Sequence, residues 1–121
     1  MLTEVGKFLR KLRIDHNEIL LDMSEVLNVT PSFLSAVENG KKSMPPTWYN
    51  IIVSGYSLNE QQITEFQEAI AKTQSSISIN LNDISDTRKM TVLSFARQIS
   101  ELEDDQVHKI NEILRMKYKG R

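Results

Sequence analysis

The chain has 121 residues, 40% hydrophobic and 26% charged, a size and balance that suit one compact domain or a small domain with an extension and exclude wholesale disorder. The lack of cysteine excludes disulfides and thiolate metal sites and fits a reducing compartment, and a formal net charge of −1 excludes nucleic-acid binding through a global basic field. The first residues, "MLTEVGKFLRKL", lack the apolar core of a signal peptide, and no apolar run approaches the ~20 residues that span a bilayer, so a cytoplasmic protein without membrane contact is expected.

Proline and glycine are few and apolar residues recur at helical spacing, so the chain reads as all-α. In "TEVGKFLRKLRI", Val5, Phe8, Leu9 and Leu12 share one face and Thr3 is placed to cap it. A second helix is expected from about Ile19 to Leu27, with Leu20, Met23 and Leu27 inward. A third follows at once, capped by Thr30, opened by Pro31, whose missing N–H costs nothing in a first turn, and closed by Asn39-Gly40. "PPTWYNIIVSGY" gives a fourth, from Pro45-Pro46-Thr47 to about Gly55. "SLNEQQITEFQEAIAKT" gives a fifth, with Asn59 and Gln62 as a capping box and Ile63, Phe66 and Ile70 as its stripe. These five helices make a first domain over residues 1–74.

Residues 75–121 change pattern and read as a dimerisation or partner-binding extension. "SISINL" alternates Ile77, Ile79 and Leu81 with polar residues, the mark of a short strand at 76–81. The chain offers no second strand, so the expected partner is the same strand of another copy across a two-fold axis; an extended linker is the plainer alternative. Two helices are expected after it, 86–100 capped by Ser85 and 104–118 opened by Glu103-Asp104-Asp105. Val92, Phe95, Ile99 and Leu102 form one stripe, and Val107, Ile110 and Leu114 the other. Acids at the start of the last helix and Arg115, Lys117 and Lys119 near its end suit the helix dipole.

"LLDMSEVLNVTPSFLSAVENG" is a helix, a short turn and a second helix, the plan in which the second helix enters the DNA major groove. Close helix crossing calls for a small residue in the first helix, and Ser24 is there. The turn calls for a residue that tolerates a left-handed backbone, and Asn28 supplies it. Leu27, Val29, Leu34 and Val37 have the spacing that pins the second helix to a core. The DNA-facing set is then Thr30, Ser32, Phe33, Ser35 and Ala36 for bases, with hydroxyls for several base edges and Phe33 or Ala36 for thymine methyl groups. Asn39, Lys41, Lys42 and Thr47 are the phosphate contacts. Phe33 has an alternative place in the core, and Trp48 belongs there.

These residues resemble the lambda-repressor-like, XRE/Cro family of helix-turn-helix domains over about residues 3–72. The resemblance rests on "LRKLR", on "LLDMSEVLNVTPSFLSAVENGKKSMP" and on the two helices that follow. It implies a five-helix bundle and a structural salt bridge between Arg13 and Glu38. Leu20 stands where the family often has glutamine.

The expected function is a sequence-specific regulator of transcription that binds double-stranded DNA, most simply a dimeric repressor on an inverted-repeat operator. The alternative is an interaction module, an antitoxin or adaptor, whose C-terminal strand and helices bind an antagonist or toxin. No cofactor or metal is expected: His16 and His108 lie far apart without ligand spacing around them, and Asp104-Asp105 beside Glu101 and Glu103 reads as a helix start. With no cysteine nucleophile, phosphate-cradling loop or histidine–acid cluster, no catalytic residue is assigned and an enzyme is not expected. Lys7, Arg10 and Lys11 fit a solvated face as well as a DNA contact.

Overall fold

The structure, a computed structural model, describes residues 1–119, with side chains as far as Met116. Seven α-helices stand in order among the described residues: α1 (Glu4–Asp15), α2 (Leu20–Val26), α3 (Pro31–Glu38), α4 (Thr47–Gly55), α5 (Glu60–Thr73), α6 (Asp86–Gln98) and α7 (Asp104–Lys119). A single 3-10 turn, Ile99–Glu101, follows α6. Contacts divide the chain into two compact units, Met1–Ile79 and the residues from Asn80 onward.

In the first unit, short-range side-chain bonds fix where helices begin. Thr3 Oγ1 accepts the Gly6 N–H at 3.0 Å and Thr30 Oγ1 accepts the Phe33 N–H at 3.1 Å. Asn59 and Gln62 bond reciprocally to each other's backbone N–H at 2.8 and 3.0 Å. Each such cap satisfies donors that the first turn leaves without a partner, at about 1 kcal/mol apiece. The ends of α1 to α4 share one geometry. A residue in the left-handed region follows each helix: Asn17 (φ 55°), Asn28 (φ 57°), Gly40 (φ 76°) and Ser57 (φ 50°). The next N–H then turns back to a carbonyl five residues earlier: Glu18 to Arg13, Val29 to Ser24, Lys41 to Ala36 and Leu58 to Val53, at 2.8 to 3.1 Å.

Val5, Leu9 and Leu12 of α1, Met23 and Leu27, Leu34 and Val37 of α3, Trp48 and Ile52 of α4 and Phe66 of α5 form one buried core. Phe66 lies stacked between Phe8 and Tyr49, with ring centroids at 4.8 and 5.4 Å, so one aromatic column ties α1, α5 and α4. Trp48 is buried and meets Phe33 of α3 edge-on at 5.9 Å. Ser24 is fully buried, and its hydroxyl donates to the Leu21 carbonyl at 2.7 Å. A larger side chain there would keep α2 from closing on its neighbours.

The strand expected at 76–81 is absent: no strand occurs among the described residues, and these positions carry no regular structure. The reason lies in pairing. A strand needs a backbone partner, and alternation alone supplies none. The Asn80 side chain instead accepts the Asn82 N–H at 2.9 Å, a local turn that ends the extended run. Ile77 and Ile79 are exposed and Leu81 is half-buried. The two-fold strand pairing through Ile77, Ile79 and Leu81 loses its basis with the strand.

The second unit holds α6, the 3-10 turn and α7. Ser85 Oγ accepts the Arg88 N–H at 3.2 Å and opens α6. Neither α6 nor the turn buries a residue, and on α7 Val107 and Ile110 are only half-buried. Leu93, Phe95, Ile99, Ile113, Leu114 and Met116 are exposed. The basic residues Lys117 and Lys119, expected near the end of α7, lie outside the described side chains.

Candidate nucleic-acid interface

The short helix α3 is held from behind at several points. Leu34 and Val37 are buried. Glu38, on the same inner side, makes a two-pronged salt bridge with Arg13 of α1: Nη1 reaches Oε2, and Nη2 lies 3.1 Å from Oε1. Both side chains are buried, and Arg13 Nη1 also lies 3.4 Å from Met23 Sδ. The pair therefore bonds α1 to the end of α3 and removes the single carboxylate of α3 from its outer face.

A second tie was not visible in the sequence. The Thr3 N–H and hydroxyl both donate to the Glu38 carbonyl, at 3.0 and 3.1 Å. Gly6, one turn along, lies directly against the same carbonyl: a Cβ there would sit 2.2 Å from the Glu38 oxygen. Only a glycine lets the α1 backbone come this close to α3. A glycine in a helix is ordinarily a weakness, so residue type alone pointed the other way.

With Leu34, Val37 and Glu38 inward, the outer face of α3 carries Ser32, Ser35, Ala36 and Asn39, at spacings of three, one and three. Ser32 is exposed and the other three are half-buried. Thr30 is exposed; its oxygen accepts the Phe33 cap bond, and its hydroxyl proton stays free to donate. Phe33 is half-buried with its ring turned to Trp48, so part of its surface is committed to the core. Asn39 Nδ2 donates to the Ser35 carbonyl at 2.9 Å, which fixes the amide on the helix end.

Lys41 and Lys42 follow as exposed residues on the loop after α3, and neither is in a salt bridge among the described residues. That loop is braced by the chain leaving α5: Gln74 Nε2 donates to the Met44 carbonyl at 2.9 Å, and the Ser43 and Ser76 hydroxyls lie 3.2 Å apart. Thr47 is exposed at the first position of α4, preceded by Pro46, which offers no N–H. The start of α2 differs. Asp22 Oδ2 accepts the Ile19 N–H at 2.9 Å and sets a negative charge where a phosphate would lie. Thr30, Ser32, Ser35, the two lysines and Thr47 thus carry exposed or half-exposed donors, whereas the start of α2 carries a carboxylate.

Tyr56 donates its hydroxyl to Glu18 Oε1 at 2.6 Å and meets His16 edge-on at 5.0 Å. Burial, and then the bond to Glu18, push the Tyr56 phenol well above the usual tyrosine range. His16 Nδ1 lies 3.1 Å from the Leu12 carbonyl. His108 on α7 pairs with Glu112 at 3.0 Å on an exposed face. No group of three His, Asp or Glu side chains among the described residues is placed to hold a metal ion, and no described helix is long and apolar enough to cross a membrane. No family model matches the chain, and no curated protein or solved structure matches it either.

Proposed function

We propose that this chain is a cytoplasmic, sequence-specific DNA-binding regulator of transcription, a homodimer that acts most simply as a repressor by covering a promoter. The observation that carries the reading is α3 itself: eight residues, capped at both ends, braced from behind by a buried salt bridge, and presenting an uncharged polar row flanked by two free lysines. A helix this short is not stable alone. So much bracing on so short an element is understandable if its outer face must be held rigidly against a partner.

Ser32, Ser35 and the Thr30 hydroxyl are the base readers, Ala36 packs on thymine methyl groups, and Phe33 adds its exposed edge. Lys41, Lys42, Thr47 and Asn39 contact phosphates. None of the readers makes the bidentate contacts of arginine or glutamine, so affinity leans on phosphates and on two copies binding together. With two lysines per copy, a dimer neutralises about four phosphates, which gives a slope of log affinity on log salt of roughly −3 to −4.

A second reading, a protein-interaction module for an antagonist or toxin, is favoured by one observation, the exposed apolar faces of α6 and α7. Selection of the purified protein against a random duplex library tests the first reading. Enrichment of an inverted repeat supports the dimeric regulator; a pool that stays random rejects it and leaves the interaction module.

A further inference from the structure

The unit from Asn80 onward holds an amphipathic α7 and an α6 whose exposed apolar residues lie on more than one side. Among its described side chains none is buried, and seven large apolar ones from Met90 to Met116 are 42–68% exposed. Helices of this length are held in water mainly by packing of an apolar face, and here that face is only partly covered: Val107 and Ile110 are half-buried and Leu114 is exposed. The charges on the last helix are sorted along it. Glu101, Glu103, Asp104 and Asp105 cluster at the start of α7, all exposed, while Arg115 and, by sequence, Lys117 and Lys119 stand at its end. Between them runs the stripe of Val107, Ile110 and Leu114.

We propose that this unit is the homodimer seam, with α7 packed antiparallel on the partner's α7 about a two-fold axis near Ile110, so that each acidic start faces the partner's basic end. The occupant follows from the charges. A parallel pair would set acids against acids and bases against bases, whereas an antiparallel pair of identical helices matches both ends at once. A single self-complementary surface is what a two-fold contact requires. The area decides how much of the unit takes part. Fully burying one such side chain removes about 60–120 Å² of apolar surface, so seven that are half exposed give about 250–450 Å² per partner. A homodimer interface of about 800 Å² per partner, some 65% apolar, needs about 500 Å². Even the seven together fall somewhat short of that, so the seam must take in α6 as well as α7 and also draw on the half-buried Val107 and Ile110. The proposal rests on the homodimer named above and says which surface makes it.

The test is sedimentation of the full chain without DNA, so its outcome is independent of whether any operator is found. The wild type sediments as a dimer at micromolar concentration. Leu114→Glu sediments as a monomer with unchanged emission from Trp48, which is buried in the other unit. Because that variant also disturbs α7 itself, a pair of surface variants carries the orientation. Asp104→Lys with Asp105→Lys weakens the dimer roughly tenfold or more, since each change acts twice at a two-fold axis. Adding Arg115→Glu and Lys117→Glu restores it at low salt. The same charge sorting also suits the helix dipole of α7 alone. If that were its whole role, the four-fold variant would be the weakest of the set. That result, a monomeric wild type, or a dimer indifferent to Leu114→Glu would each overturn the proposal.

Discussion

Gly6→Ala sets two effects of opposite sign against each other. Replacing glycine by alanine inside a helix ordinarily stabilises it by about 1 kcal/mol. At Gly6 the new Cβ would stand 2.2 Å from the Glu38 carbonyl oxygen and 2.9 Å from its carbon, both backbone atoms of α3. Backbone at a helix end does not swing aside as a side chain can, so α1 and α3 must part by about an ångström, at an overpacking cost of about 1–3 kcal/mol. The separation also stretches both Thr3 bonds to that carbonyl, each worth about 1 kcal/mol. The sum is about 3–5 kcal/mol against a gain of about 1, a net loss of about 2–4 kcal/mol. Urea unfolding followed by Trp48 emission measures it, since the one tryptophan of the chain is buried in this unit. The midpoint should fall by about 1–2 M at an ordinary urea dependence. A variant as stable as the wild type, or more stable, would refute the close approach of α1 to α3.

Three further outcomes are expected. Arg13→Met and Glu38→Leu should each cost about 3–5 kcal/mol in urea unfolding, because each strands a buried charge, while the double variant costs clearly less than the sum. Ser57→Gly should stabilise by about 0.5–1 kcal/mol by removing a left-handed serine, and Asn28→Gly should be near neutral because asparagine tolerates that backbone. For Tyr56 the folded state favours the protonated phenol. Its contribution to stability is thus full below the ordinary tyrosine value of about 10 and is lost as pH rises further; urea midpoints above pH 10 should fall more steeply in the wild type than in Tyr56→Phe.

Features written in neighbouring residues were legible in the sequence. The Thr30 cap, Pro31 and Asn39-Gly40 bound α3 as expected, and the same holds for the Asn59–Gln62 box and for Ser85. Each is a bond between residues three or four apart, so local order is enough. Asn28 was readable as left-handed, but Ser57 was not, because serine carries no such preference and only the helix geometry demands it. Gly6 was silent because its role depends on Glu38, 32 positions away in the sequence. The "SISINL" stretch misled in the opposite direction. Its alternation is a genuine period of two, but a strand is made by a partner and alternation supplies none, while the Asn80 side chain turns the chain locally at Asn82.

The apolar stripe of α7 is half-buried at Val107 and Ile110 and exposed at Leu114, whereas α6 also exposes Met90 and Leu93 away from its stripe. What covers a stripe is not written in it. The face of α3 lies between these cases: once Leu34, Val37 and Glu38 are inward, helical geometry alone puts Ser32, Ser35, Ala36 and Asn39 outward.

The claim that this outward row meets DNA is tested most directly by following backbone amide resonances of the full chain as duplex DNA is added. The account predicts shifts concentrated from Thr30 to Asn39, in the loop from Lys41 to Ser43 and at Thr47, weakening as salt is raised, with the α6–α7 unit unaffected. Shifts confined to α6 and α7, or none above those given by salt alone, would contradict it and leave α3 a braced element of the scaffold.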